Sequence, residues 1–289
     1  MNILITQNQM GKVLLMSNYE SKFEEALELY KNGMSLSQIG KQLKIDRNRL
    51  SRDLKKMGIT ITQNGQKYNY NMEIFKKIDT EEKAYWLGFL YADGYNNGKD
   101  VELTLQESDY NHLVKFRKFI GDESIKILYK KKTKAYRIYI HSKEIAQDLI
   151  NLGCFQAKSL TLKFPTEEQV PKYLIHHFMR GYFDGDGSIT SIIPKKCIKE
   201  QFGFSVIGTS EFLNKYEEYL LKGISRDINN RTNRQRRYDW SEETESIQYR
   251  GNNQVFKIFQ FLYKDATIYL DRKYQKFNML LPSQDETDK

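Results

Sequence analysis

Trp86-Leu87-Gly88-Phe89-Leu90-Tyr91-Ala92-Asp93-Gly94 is the stretch on which the fold turns, because the chain returns to it as Met179-Arg180-Gly181-Tyr182-Phe183-Asp184-Gly185-Asp186-Gly187. Each is an apolar helical run that ends in Asp-Gly and carries another glycine six residues before the last one. Gly94 and Gly187 suit a left-handed residue just past a helix end. Gly88 and Gly181 fall inside the helix, where glycine costs about 1 kcal/mol against alanine. That cost is reasonable where two helix backbones approach closely.

The acids break a local rule. A helix C-terminus carries about half a negative charge, so a carboxylate there is repelled by about 0.3–1 kcal/mol. The first motif places one acid at that end and the second places two, Asp184 and Asp186. A single Asp-Gly after a helix is ordinary turn chemistry. The same breach at the same offset in two copies marks a functional position. A bound divalent cation removes the conflict, because hard cations prefer carboxylate and carbonyl oxygens. If the two helices pack side by side in parallel, Asp93 and Asp186 meet at one end. Two carboxylates with metal ions can then clamp the attacking and leaving oxygens of a phosphodiester.

Around the first motif the pattern runs as follows. A helix from about Thr80 to Ala92 leads to two strands, the second Val101–Gln106. A helix from Asp109 ends before Gly121. Strands Ile125–Tyr129 and Ala135–His141 flank a Lys-rich turn, and helix Ser142–Leu152 stops at Gly153. The order returns after Pro171: helix Lys172–Phe183, strands Ser188–Ile193 and Phe202–Ile207, helix Ser210–Leu221, strands Ile224–Ile228 and Ser246–Arg250, helix Asn253–Tyr263. A last helix, Ala266–Leu280, is appended. A repeat this long is a duplicated half-domain, not a solenoid unit. The expected fold class is α+β, with two pseudo-symmetric αββαββα halves at 80–155 and 171–289 joined by a linker at 156–170. A small all-α unit at 19–59 precedes them, between an N-terminal arm, 1–18, and a polar linker, 60–79.

Both motifs resemble the LAGLIDADG motif of homing endonucleases, over roughly Thr80 to Leu280, with two motifs in one chain as in the monomeric members. The resemblance implies motif helices at the interface of the halves and sheets forming a saddle over double-stranded DNA. It implies metal-assisted attack of water on phosphorus and a site-specific double-strand cut. By motif position it makes Asp93 and Asp186 the catalytic metal ligands, for Mg2+ or Mn2+; the Ala92 carbonyl is not assigned. Tyr91 stands where the second copy has Asp184, away from the ligand position. Arg180 is unusual and is expected at the helix rim. Family members also use less constant residues beside the metals. Comparing the repeats sets Glu107-Ser108 against Gly208-Thr209, and His141-Ser142-Lys143 against Arg250-Gly251-Asn252. Lys143 and Arg250 are thus candidates for stabilising charge, with simple phosphate contact as the alternative. The resemblance also implies a bacterial, phage-encoded or organellar protein, carried by a mobile intron, an intergenic element or a phage; two cysteines without disulfide or zinc spacing fit a reducing, intracellular home. Two other uses of the same fold stay open: a transcription regulator that does not cut, and an intron-RNA maturase.

Composition agrees with an anionic partner. The chain has 289 residues, 46 Lys and Arg against 37 Asp and Glu, and a net charge of +9. With 39% apolar residues it is a globular chain, not a disordered one. No apolar run approaches the roughly 20 residues that span a bilayer. Cys154 and Cys197 have no zinc spacing, and His112, His141, His176 and His177 have no metal spacing.

The positive charge is placed, not scattered. Lys130, Lys131, Lys132 and Lys134 form the turn between the third and fourth strands of copy one. Arg231, Arg234, Arg236 and Arg237 occupy the same place in copy two. A two-stranded ribbon fits the major groove, where such side chains contact bases and phosphates. Ser35–Gly58 resembles the helix-turn-helix of resolvase-type DNA-binding domains. Arg47, Asn48, Arg49, Ser51 and Arg52 would front its recognition helix, with Leu50, Leu54 and Met57 as core. The final helix resembles a tail helix of some members of the family, with Arg272 and Lys273 expected on its solvated face and DNA contact as the alternative. The expected partner is duplex DNA, with RNA second and no membrane, bound by a monomer.

Overall fold

The computed structural model describes residues 7–59, 68, 70–121, 123–156, 161–193, 200–224, 235–236 and 244–280, with the backbone alone for 7–18 and 235–236. The chain divides into two compact units, Met1–Asn69 and Tyr70–Lys289. No helix among the described residues is long and apolar enough to cross a membrane.

The first unit holds α1 (Gln7–Lys31), α2 (Leu36–Leu43) and α3 (Arg47–Lys56). Residues 7–18, expected as a loose arm, are helical backbone continuous with α1. No proline interrupts that run, and its single Gly11 costs only about 1 kcal/mol. Gly33, at φ +90°, closes α1 as its sequence suggests. Ser35 and Gln38 cap α2 reciprocally: the Ser35 hydroxyl accepts from the Gln38 N–H, and the Gln38 amide accepts from that of Ser35. Asp46 caps α3 by accepting from Arg49 N–H at 2.7 Å. Ala26, Leu36, Ile39, Leu43, Leu50 and Leu54 form the core. Met57 is not part of it, being 57% exposed. The chain folds back after α3, with Ile59 N–H bonded to the Leu54 carbonyl, and Ile59 packs against the core instead.

The second unit is a mixed α+β structure. Its first part contains α4 (Glu81–Asp93), β1 (Gly94–Asn96), β2 (Val101–Gln106), α5 (Tyr110–Phe119), β3 (Leu128–Lys130), β4 (Ala135–Ile140) and α6 (Lys143–Asn151). Its second part contains α7 (Ile175–Asp186), β5 (Gly187–Ile192), β6 (Gln201–Thr209), α8 (Ser210–Gly223), β7 (Gln235–Arg236), β8 (Thr244–Arg250) and α9 (Asn252–Leu262), followed by α10 (Asp271–Asn278). Two antiparallel four-stranded sheets result, in the orders β1-β2-β4-β3 and β5-β6-β8-β7. Along β2, Val101, Leu103 and Leu105 point into the core. Phe202, Phe204 and Val206 do the same along β6.

Three element boundaries need correction. β3 begins three residues later than expected, because only from Leu128 does the chain pair with β4, at Arg137. The strand expected at Ile224–Ile228 starts on the cap of α8, and 225–228 lie outside the described residues. The last helix begins at Asp271, not Ala266: the backbone N–H groups of Thr267, Ile268 and Leu270 donate to the carboxylates of Glu81 and Asp184 and so leave the helix ladder.

The sheets are held together by α4 lying along α7. Both helices are buried around nearly their whole circumference. A Cβ added at Gly88 would overlap the Phe178 carbonyl and come within 2.9 Å of Tyr182 N. One added at Gly181 would overlap the Tyr85 carbonyl and come within 2.9 Å of Phe89 N. The contacts are reciprocal, and since Gly185 further along α7 meets Ala92 and Asp93 further along α4, the helices are parallel. Gly94 and Gly187 are not left-handed, having φ −76° and −85°. They are small for a different reason: a Cβ there would strike the Leu90 or Phe183 carbonyl as the chain turns straight from helix into strand.

Gly88→Ala and Gly181→Ala should each lower the unfolding free energy by about 3 kcal/mol, the upper end of the usual overpacking cost, since backbone and not a movable side chain must give way. Urea denaturation measures this.

Candidate functional site

The parallel packing brings the ends of α4 and α7 together. A Cβ built on Gly185 would overlap that of Ala92 and lie 3.3 Å from an Asp93 carboxylate oxygen. Asp93 thus sits against the residue preceding Asp186. Both acids are exposed. Buried Tyr182 lies under them, donating to the Ile207 carbonyl at 2.8 Å. Its pKa is driven well up by burial first, then by the charge of Asp186, with Asp93 adding. Two carboxylates at the negative ends of two helices are a donor set for a hard divalent cation. Among the described residues no group of three or more His, Cys, Asp or Glu forms a ready-made metal cluster. An ion held by this pair would complete its shell with water, carbonyl or phosphate oxygens.

Beneath the pair lies a polar network that the sequence did not announce. Asp184 is 1% exposed and accepts from Tyr85 Oη at 2.8 Å, Tyr263 Oη at 2.7 Å and Leu270 N–H at 2.8 Å. Burial raises its pKa against the opposing pull of Lys273 and these donors. Since the Tyr85 hydroxyl donates to Asp184, His112 Nε2, 2.9 Å away, must donate to Tyr85. Arg180 is fully buried, not at the rim. It donates to the carbonyls of Ile268 (3.1 Å) and Leu262 (3.0 Å), to His177 Nδ1 (2.7 Å) and to Glu81 (2.7 Å). Glu81, in the first turn of α4, also accepts from Thr267. In the first motif the Tyr91 hydroxyl donates to the Leu152 carbonyl instead.

Lys273 reverses its expected position. It is 3% exposed, and its Nζ donates to the carbonyls of Phe183 (2.6 Å), Asp184 (2.8 Å) and Gly187 (2.5 Å) at the end of α7. Burial lowers its pKa to about 8, while Asp184, Asp93 and Asp186 resist the fall. A signal was present: Lys273 follows Leu270 by three residues and precedes Phe277 by four, the spacing of an apolar stripe. Arg272 instead stays half-exposed and pairs with Asp109 at 3.0 Å.

Most of the remaining candidates among the described residues are exposed. Lys143 is exposed at the first turn of α6, past the end of β4. Arg250 is exposed at the end of β8, opposite Gly203, three residues along from Ile247. Val206 joins Ile247 to Gly187, so Arg250 lies roughly 10 Å along the strand from the level of Asp186. The β8 register carries Arg250 away from the helix ends. Lys131, Lys132 and Lys134 are exposed in the β3–β4 turn, while Lys130 is half-buried and paired with Glu102 at 3.2 Å. Arg231, Arg234 and Arg237 lie outside the described residues, as does the side chain of Arg236. In the first unit Arg47, Asn48 and Arg52 are exposed, whereas Arg49 lies 3.6 Å over the Tyr19 ring.

No family model matches the sequence. Over 135 residues, 44% of this chain, it is 30% identical to a replication factor C small subunit of Methanocaldococcus jannaschii, and it spans 7% of that protein's length. Among solved structures it is similar to the I-LtrWI LAGLIDADG homing endonuclease bound to target DNA, at 12% identity and TM-score 0.45, covering 73% of this chain and 90% of that one. It is similar to the LAGLIDADG homing endonuclease I-GzeII in complex with its DNA target, at 12% identity and TM-score 0.46, covering 71% and 89%. It is also similar to the meganuclease I-SmaMI bound to uncleaveable DNA, at 12% identity and TM-score 0.46, covering 68% and 88%.

His112 gives the network a pH signature. Burial first, then the charges of Lys115, Arg272 and Lys273, push its pKa down to about 3. Between the ordinary value near 6.5 and about 3, the unfolded chain takes up this proton and the folded one does not. Unfolding free energy should therefore fall as pH drops through that window, by up to about 1.4 kcal/mol per pH unit from this residue. Denaturation of His112→Gln, compared with the native chain at pH 7 and pH 4, should show a shallower loss.

Proposed function

We propose that this protein is a site-specific DNA endonuclease that cuts both strands of a duplex, with divalent metal ions held by Asp93 and Asp186. One observation carries the reading: two exposed acids, one from each sheet-bearing half, stand together at the ends of two helices in backbone contact. A Mg2+ or Mn2+ ion bound there would supply charge stabilisation at a phosphodiester and acidify an attacking water.

The chain's own part is positioning. Gly88 and Gly181 fix the helix separation, and so the spacing of the two carboxylates, before any substrate arrives. The two halves, 80–155 and 171–289 joined through 156–170, act as a pseudo-twofold pair, each presenting one acid to one strand under a saddle of two sheets. Exposed Lys131, Lys132 and Lys134 contact phosphates, and copy two uses Arg231, Arg234, Arg236 and Arg237 equivalently. Lys143 and Arg250 serve the backbone on either side of the cut. The unit at 19–59 grips DNA as a helix-turn-helix through Arg47, Asn48 and Arg52; of the expected linker 60–79, residues from Tyr70 on belong to the second unit, where Ile74, Phe75 and Ile78 are buried. Arg49, held over Tyr19, shapes that surface. The protein acts as a monomer.

Asp93→Asn and Asp186→Asn should each reduce cleavage of a target duplex in Mg2+ by at least 10²–10³-fold, on the order expected for losing a principal charge-stabilising group, with gel-shift affinity nearly unchanged. A protein that shifts duplex DNA but never nicks it is a regulator, and one that prefers structured intron RNA is a maturase; either result refutes the proposal.

Changing Lys131, Lys132 and Lys134 together to Gln should weaken binding to all duplexes alike. The slope of log affinity against log salt should become shallower by about 2.7, from about 0.9 for each of three phosphate contacts. Filter binding across a salt series reads this out.

A further inference from the structure

We infer that Lys273 is the positioning residue for Asp186: its ammonium grips the main chain on both sides of that acid and so sets how tightly the acid pair holds a divalent cation. The inference rests on the reading of Asp93 and Asp186 as metal ligands.

The geometry is specific. Nζ reaches the carbonyls of Phe183 at 2.6 Å, Asp184 at 2.8 Å and Gly185 at 3.4 Å, all before Asp186, and that of Gly187 at 2.5 Å just after it. The Phe183 carbonyl already accepts from the Gly187 N–H, but the helix ladder supplies no donors to the carbonyls that follow it. One ammonium with three donors takes their place. The peptide units around Asp186 cannot rotate without losing these bonds, so the direction in which its carboxylate leaves the helix is fixed.

The lysine is itself held. Its neighbour Arg272 pairs with Asp109 at 3.0 Å, and Asp271 pairs with Lys115 at 2.7 Å. Leu270 N–H is anchored on Asp184 at 2.8 Å, and Lys276 donates to the Ile189 carbonyl at 3.1 Å. α10 is thus tied to the first half and to the second. The cation it delivers is a feature of the second half: at the matching position of α4, the Leu90 carbonyl accepts from the neutral Cys154 thiol at 3.4 Å. A buried lysine on an apolar stripe is expensive unless its charge is used. Here it faces the negative end of α7 and lies in the field of Asp93, Asp184 and Asp186.

The test uses the full-length chain with Lys273→Met and with Lys273→Gln, which retains donors without charge. Mn2+ binding is measured by calorimetry without DNA, and the Mg2+ dependence of cleavage is measured alongside. Both variants should weaken Mn2+ binding and raise the half-saturating Mg2+ by about 10–100-fold, the effect of losing a group that orients a metal ligand. Lys276→Met, which loses a tail contact away from the acids, should stay within about twofold of the native chain. Unchanged or tighter metal binding in folded Lys273 variants overturns the inference. Native-state reductive methylation read by mass spectrometry asks the question without any substitution. Lys273 should be protected while Lys131 and Lys132 are modified, and equal modification also overturns it. The two readings fail separately. Full cleavage by Asp186→Asn removes the proposed metal site. A dead Asp186→Asn beside Lys273 variants of native metal affinity removes only the role of Lys273.

Discussion

Two helices can lie at backbone distance only where neither puts a side chain into the crossing, and α4 and α7 meet that condition at Gly88 and Gly181. The rest of the second unit follows from this contact. It makes the helices parallel, so that both C-termini face the same way. Each helix passes directly into the first strand of a sheet, so the two sheets are placed by the same contact. Packing this close is also rigid, since almost nothing in it can rearrange by rotating a side chain. The helix ends that carry Asp93 and Asp186 are therefore held at a fixed spacing by main chain.

The contact alone would not hold a tail. Glu81, Arg180 and Asp184 make the second link, joining α4 and α7 to residues 262–270 through buried charge. A fully buried guanidinium is tolerated because its donors meet carbonyls, a histidine and a carboxylate. Such pairs stabilise little against an apolar replacement, but breaking one partner costs about 3–5 kcal/mol. The arrangement thus favours one path for the chain after α9 over all others. That path carries α10 to the end of α7.

The two halves are alike in strand order and unlike in detail. Where Tyr91 seals its helix against the Leu152 carbonyl, Asp184 gathers two tyrosines and the tail backbone. Where a thiol meets the Leu90 carbonyl, an ammonium meets that of Phe183. Both differences concentrate charge in the second half, around Asp186. An acid pair that is geometrically matched is thus electrostatically unequal, with the buried cation on one side.

The repeated apolar run with its inner glycine and terminal Asp-Gly determined the helix pair, its close approach and the two exposed acids, because those depend on spacing along one segment. Element order and the caps at Ser35 and Asp46 were equally local, and most of them stood. What depended on distant partners did not. Met57 lost its core position to Ile59 when the chain folded back, β3 started where β4 offered a register, and the last helix waited for Asp271 because carboxylates from Glu81 and Asp184 had claimed the backbone before it. Arg180 and Lys273 were the plainest cases. A charged side chain on an apolar stripe shows that burial is coming, but only the folded chain, bringing residue 273 to carbonyls of 183–187, decides which groups will satisfy it.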